Sequence, residues 1–331
     1  TSSFLLIVII PQRLKKATAV CCACNYLLSM IQYPSVINMK NQIKGILSLL
    51  IATVIWGSAF IAQSVGMDHI GPFTFQAIRC GLAVVFLIPV SFLFEREKHI
   101  FLKKWADPQL WKTGFVCGIA LFAAAGLQQV GLVYTNAGKA GFITAMYIVL
   151  VPILGLFLKQ RPPLSAWISV VIAVAGLYLL SCVGVSEINI GDILLLGCAM
   201  GFAVQITLVD RMAGALDGIR LNCVQSLVCS LLSAVFMFAT EQPKMEKILI
   251  CWLPLGYAGI LSMGVAYTLQ IIGQKGLNPT AASLLMSLES VFAALFGWLL
   301  LKERMASYEL AGCCLVFIGV IISQIPVKKK T

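Results

Sequence analysis

The sequence predicts an all-α, polytopic membrane protein with ten transmembrane helices in two inverted five-helix repeats. Composition, a regular series of apolar runs and an internal repeat carry that prediction. Of 331 residues, 60% are hydrophobic and 11% charged, with a mean hydropathy of +0.95, against roughly 25% charged in a soluble domain. So few charges cannot coat a water-facing surface, which makes the lipid bilayer the solvent. The net charge of +11 invites a nucleic-acid reading. The basic residues, however, lie in short clusters between apolar runs rather than along one face, so no nucleic-acid partner is expected.

Residues 1–38 stand apart. They carry an apolar run, Phe4 to Ile10, too short to span, then Arg13, Lys15, Lys16 and the Cys21, Cys22, Cys24 cluster. Met39-Lys40-Asn41 before a full-length run reads as the natural start, so 1–38 are expected to be an atypical extension outside the fold. A signal peptide is the alternative, without a small-residue cleavage site to support it. From Ile43 the apolar runs approach the ~20 residues a membrane helix needs. They fall at 43–65, 71–94, 112–133, 138–158, 164–183, 190–209, 219–239, 251–273, 279–301 and 307–325. Connections such as His69-Ile70-Gly71-Pro72 and Arg161-Pro162-Pro163 leave no room for a soluble domain. The ninth run opens on Asn278 as helix cap with Pro279 in the first turn and closes on Lys302, Glu303 and Arg304.

Gln128-Gln129-Val130-Gly131 aligns with Gln270-Ile271-Ile272-Gly273 at an offset of 142, which also pairs Asn136 with Asn278, Ala140 with Ala282 and Gly155 with Gly297. One inserted residue then sets Lys159-Gln160-Arg161 on Lys302-Glu303-Arg304 and Gly176 on Gly319. Apolar helices match in Leu and Ala by composition alone, whereas Gln, Asn and Gly matches punctuate structure. The halves are then 39–183 and 190–325, with 326–331 a basic tail. Each holds an odd number of spans, so the second is inverted. Inverted halves recur in secondary transporters, with the solute site near midplane between them. About fifteen Lys and Arg, including Lys40, Arg96 to Lys112, Arg161 and Lys328 to Lys330, fall on one side, against Lys139, Lys244, Lys247, Lys302 and Arg304 on the other. That bias predicts both termini in the cytoplasm.

Glu289 lies halfway along the ninth span. A charge at bilayer centre costs roughly 2.5–3.5 kcal/mol on insertion scales, so it turns towards protein or water. Stepping by helical spacing gives Ala282, Leu285, Met286, Ala293 and Gly297, a largely small-residue face. Two readings stand: a solute- or proton-binding carboxylate, or a protonated acid hydrogen-bonded across a helix interface. Its repeat partner is Tyr147, expected at the same depth as a site group or a packed aromatic. Arg79 snorkels to the outer interface or pairs inside the bundle, and Lys139, at the start of the fourth span, reads as solvated. Trp56, Gln63, Gln128 and Gln270, with Gln76, Gln205 and Gln225, supply uncharged polar groups that either bridge helices or line a cavity. Pro89 and Pro152 are hinge candidates. Gly114/Gly118 and Gly197/Gly201 have a spacing that marks helix contacts within the monomer; a homodimer stays open. Of twelve cysteines, Cys80, Cys117, Cys182, Cys198, Cys223 and Cys229 read as small apolar fillers. With two histidines, both in connections, no metal and no cofactor is expected.

The chain resembles the EamA-type, ten-span members of the drug/metabolite transporter superfamily. The resemblance rests on Ile55-Trp56-Gly57-Ser58, Gly71-Pro72 with Arg79, Lys139-Ala140, Leu288-Glu289, Leu301-Lys302-Glu303-Arg304, Gly312 and Gly319. It covers nearly everything from Met39 to Pro326. Departures are Gln160 where Glu is expected by comparison with Glu303, and Ser290 where Pro is common. The resemblance implies export or exchange of a small metabolite, amino acid or drug across the plasma membrane, with a coupling proton or cation as partner. The rival classes are a membrane-embedded enzyme acting on lipid-linked substrates, disfavoured because the acids are scattered, and a non-transporting receptor or scaffold.

Overall fold

The apolar runs fold as helices whose ends are set by local chemistry. A computed structural model describes residues 34–95, 97–135, 137–160, 162–181, 189–301 and 306–324. The expectations attached to most of the 1–38 extension, to Arg96, Asn136, Arg161 and Cys182, to the Lys302–Arg304 turn and to the 326–331 tail lie outside those residues. Helices α1 (Pro34–Met67), α2 (Pro72–Phe94), a short α3 (Lys98–Trp105), α4 (Pro108–Leu132), α5 (Ala137–Ala145), α6 (Tyr147–Phe157) and α7 (Leu164–Ser181) come first. They are followed by α8 (Ile190–Met212), α9 (Gly218–Thr240), a short α10 (Met245–Ile250), α11 (Trp252–Gly256), a π-helical stretch (Tyr257–Ala266) and α12 (Tyr267–Gln274). Last come α13 (Pro279–Met286), α14 (Leu288–Leu301) and α15 (Ser307–Gln324). The chain divides into two units, Thr1–Lys44 and Gly45–Thr331. The described part of the first is the opening of α1, and the second holds everything that follows.

Among the described residues nine helical segments are long and apolar enough to cross a membrane, and no strand occurs. The protein is thus an all-α, multi-pass membrane protein. The expected span at 164–183 is the shorter one: Leu164–Leu180 is apolar but below that length. Capping residues set the boundaries. Asn278 accepts from the Thr280 amide with Pro279 opening α13, Asp107 and Asp217 cap α4 and α9 in the same way, and Asn189 with Asp192 forms a reciprocal capping box on α8. No side chain of its own caps α2. Glu241, just past α9, accepts instead from the amides of Phe73 and Thr74 at 2.8 Å each.

Small residues let helices from distant parts of the chain touch. The Gly118 backbone packs on Val228 of α9, and a Cβ at Gly201 would lie 2.9 Å from the Cβ of Ala124 in α4, so both small-residue pairs serve contacts within the chain. Where α7 crosses α15, a Cβ at Gly176 would lie 2.7 Å from Gly312 O and 2.8 Å from Val316 N. At Gly319 it would lie 2.8 Å from Ser169 O and 3.1 Å from Ala173 N. Adding 143 to 169, 173 and 176 gives 312, 316 and 319, so one contact occurs twice with the helices exchanged. A second pair behaves alike: a Cβ at Gly131 would meet Leu195 Cγ at 2.8 Å and Gly191 O at 3.3 Å, and one at Gly273 would meet Leu49 Cγ at 2.8 Å and Gly45 O at 2.9 Å.

The interruptions do not fall at the prolines. Pro89 lies inside α2 and Pro152 inside α6, and both helices run on past them. The breaks come instead at Met146, between α5 and α6, and at Ser287, between α13 and α14. The turn tightens at each point: Val149 N bonds Met146 O at 3.0 Å and Ser290 N bonds Ser287 O at 3.2 Å, both spanning three residues instead of four. In α6, Pro152 is buried among packed helices, a setting in which a missing backbone bond is tolerated.

Candidate functional site

Tyr147 and Glu289, which the sequence offset of 142 pairs, meet beside the two breaks. Tyr147 opens α6 and Glu289 is the second residue of α14, and Tyr147 Oη donates to Glu289 Oε1 at 3.1 Å. Both are buried, at 3% and 7% exposure. They share the wall of a cavity with Trp56, Phe60 and Gln63 of α1, Arg79 of α2, Gln128 of α4, Phe202 and Ile206 of α8, Ser262 of the π-helical stretch, Tyr267 and Gln270 of α12, and Met286 of α13.

Arg79 does not snorkel. It is 2% exposed, and its guanidinium is held by neutral groups: Nη1 donates to Gln63 Oε1 at 2.6 Å and Nε to Gln76 Oε1 at 2.9 Å, with Nη2 also on Gln76. The Phe75 ring lies 5.7 Å from the guanidinium carbon. Among the described residues no carboxylate lies within ion-pair distance of Arg79. A guanidinium carries five N–H groups, of which three bond the glutamines, and Arg79 also interacts with the neighbouring Cys80.

The remaining polar wall is arranged by shared hydrogen bonds. Trp56 meets the Tyr267 ring edge-on at 5.0 Å, and among the described residues its Nε1–H has no acceptor and Gln270 Oε1 no donor. Gln270 starts a head-to-tail chain of amides. Its Nε2 donates to Gln205 Oε1 at 3.0 Å, Gln205 to Gln225 at 3.5 Å and Gln225 to Asn222 Oδ1 at 2.9 Å. Asn222 Nδ2 then donates to Met263 O, Gly264 O and Thr268 Oγ1 at 2.8, 2.9 and 2.9 Å. The chain ends on the π-helical stretch for a geometric reason. Passing from bonds that span five residues to bonds that span four leaves a carbonyl without an amide, and Asn222 supplies the donor. Gln128 has a weaker link, Nε2 to Thr144 Oγ1 at 3.5 Å.

Lys139 departs from the sequence expectation. It is neither solvated nor on the cavity wall: it is buried, and its Nζ lies 2.7 Å from Asp192 Oδ2 at the start of α8. The capping box fixes Asp192 in place, which offers a carboxylate where the lysine would otherwise reach for water. Sequence reading passed over Asp192, Asn222 and Tyr267. For Tyr267 a signal existed, since it precedes Gln270 by one helical step of three and so shares its face. Asn222 stands three residues before Gln225 in an apolar span, also a helical step. Asp192 carries a helix-start signature that does not identify its partner 53 residues away.

The sequence profile of the EamA-like transporter family matches this chain twice, over residues 43–182 and 189–324. An uncharacterized transporter of Archaeoglobus fulgidus is 33% identical over 307 residues, which is 92% of this chain and 93% of that protein. The threonine/homoserine exporter RhtA of Escherichia coli is 28% identical over 293 residues, 86% of this chain and 93% of its own. A solved crystal structure with 17% sequence identity aligns at a TM-score of 0.70, covering 85% of this chain and 96% of that one, a likeness of fold alone.

Proposed function

The chain belongs to the EamA-like transporter family and is a transporter of small solutes, and from that premise we propose that it exports or exchanges an amino-acid zwitterion by alternating access between two inverted repeats. The carrying observation is that one cavity holds a cation bonded by neutral amides, Arg79, and a carboxylate with one oxygen bonded by a phenol, Glu289. A solute carboxylate fits the planar donors of Arg79 and the Trp56 Nε1–H. A solute ammonium fits the second oxygen of Glu289 and Gln270 Oε1. That a relative is named a threonine/homoserine exporter points to the same class.

The repeated contacts at Gly176 and Gly319, and at Gly131 and Gly273, support a two-fold relation between 39–183 and 190–325. The Tyr147–Glu289 bond joins equivalent positions of the two halves, near such an axis. In the proposed cycle the halves rock about it, the cavity faces each side in turn, and Glu289 binds alternately a proton and the solute's ammonium. The basic-residue bias supports cytoplasmic termini, and membership of a family with exporters of small solutes supports a plasma-membrane location.

Reconstituted vesicles loaded with threonine test this reading. Efflux is expected to depend on an imposed pH gradient, and Glu289→Gln is expected to lower the rate at least tenfold and to abolish the pH dependence. Undiminished rate and pH dependence in Glu289→Gln, at equal incorporation, would refute the role of Glu289.

A further inference from the structure

We propose that Cys80 of α2 and Cys229 of α9 form an oxidisable dithiol, a modification site that a hydroperoxide converts to a disulfide fixing α2 to α9. The sequence gives no hint of the pair, because the residues stand 149 positions apart, each alone in an apolar run. In the fold their sulfurs lie 3.5 Å apart and both residues are fully buried. The helices carrying them approach closely: Ser230 Oγ donates to Ala77 O at 2.8 Å, and a Cβ at Gly81 would lie 3.4 Å from the same hydroxyl.

These sulfurs are not in the purely apolar surroundings of a filler. Gln76 Nε2 donates to Cys229 Sγ at 3.1 Å, and the oxygen of that amide accepts from Arg79. A cation therefore polarises the amide whose N–H points at sulfur. The reactive species in thiol oxidation is the anion, and such a donor is a ready partner for it. The pair lies beside the cation of the cavity, for Arg79 interacts with Cys80 directly and with Cys229 through Gln76.

The chemistry balances with one equivalent of hydroperoxide. The Cys229 sulfur attacks the peroxide, the O–O bond breaks, an S–O bond forms, and the thiol proton leaves with the departing oxygen as water or alcohol. The Cys80 sulfur then attacks the sulfenic sulfur, the S–O bond breaks, the S–S bond forms and water leaves with the second thiol proton. Two thiols give up two electrons, and the peroxide is reduced. Bonding at about 2.0 Å asks the sulfurs to close by roughly 1.5 Å, which draws Cys229 off Gln76. One bridged helix comes from each of the two family-matched segments, 43–182 and 189–324. The bridge thus opposes movement of one segment against the other. Formation of the bond is independent of the transport reading, and only the block of transport rests on it.

The full-length protein in vesicles, treated with hydrogen peroxide, alkylated and digested, is expected to yield a peptide linking Cys80 to Cys229. That peptide should vanish on reduction with dithiothreitol. Threonine efflux is expected to fall at least tenfold on oxidation and to return on reduction, and Cys80→Ser and Cys229→Ser are each expected to keep efflux in peroxide. Recovery of both thiols alkylated, or as separate sulfur acids, from protein that remains monodisperse would overturn the dithiol. A linked peptide with efflux unchanged would overturn the fixing of α2 to α9. A linked peptide from protein with no threonine efflux in either redox state would support the dithiol and count against the proposed solute.

Discussion

Replacing Asn222 with alanine removes the clamp on the π-helical stretch, and its cost follows from the bonds it makes. The two N–H groups of Asn222 are shared among Met263 O, Gly264 O and Thr268 Oγ1, and its Oδ1 accepts two bonds, from Gln225 and Ser226. Measured hydrogen bonds between membrane helices average about 0.6 kcal/mol, so two donated and two accepted give about 2.4 kcal/mol. At about 1.4 kcal/mol per tenfold, that lowers the folded-to-unfolded ratio about fiftyfold. A carbonyl left bare away from water costs about 1–3 kcal/mol, which makes the figure a floor if water cannot enter. Reversible unfolding of Asn222→Ala in mixed micelles, beside Thr268→Val, which removes one acceptor of the Asn222 amide and the Thr268 bond to Gly264 O, measures both numbers. A loss below about 1 kcal/mol for Asn222→Ala, or one no larger than that of Thr268→Val, would refute the clamp.

Four further outcomes are expected. Lys139→Ala strands a buried carboxylate, costing about 3 kcal/mol, and Lys139→Met combined with Asp192→Asn should regain most of it in the same unfolding assay. Glu241→Ala leaves the Phe73 and Thr74 amides uncapped and should cost about 1–2 kcal/mol, read as a lower unfolding midpoint. Lys159 has a φ of 61°, a left-handed conformation that costs a non-glycine residue about 1 kcal/mol. Lys159→Gly should therefore raise the midpoint. Arg79→Gln, with its fold checked by size-exclusion chromatography, should weaken carboxylate-bearing solutes at least tenfold in competition for threonine efflux, and should leave amines lacking a carboxylate unaffected.

Helices were legible in the sequence because hydrocarbon demands long apolar runs, and their starts were legible where a cap is written locally, as at Asn278-Pro279. The cavity wall was legible in part for the same reason: Glu289, Arg79, Trp56 and the glutamines are conspicuous in apolar surroundings. The repeat offset paired Tyr147 with Glu289 before any distance was known. Contacts between distant helices left no such trace. Nothing near Lys139 announces Asp192, and nothing near Cys80 announces Cys229, since each contact depends on how two helices lie against one another. The breaks at Met146 and Ser287 escaped notice because a change of hydrogen-bond span within an apolar helix needs no glycine or proline. The prolines, conversely, sit where the helices absorb them. The short α3 and α10 were missed because each is too brief to form an apolar run.

Tyr147 and Glu289 meet at equivalent places in the two proposed halves. A dimer of identical five-helix chains would be forced to set like against like there: two acids, which repel when both are charged, or two phenols, which offer no carboxylate to a solute. A single polypeptide escapes that constraint. It can place a donor facing an acceptor on the very line about which its halves exchange, so the site acquires a polarity that a fully symmetric assembly could not possess.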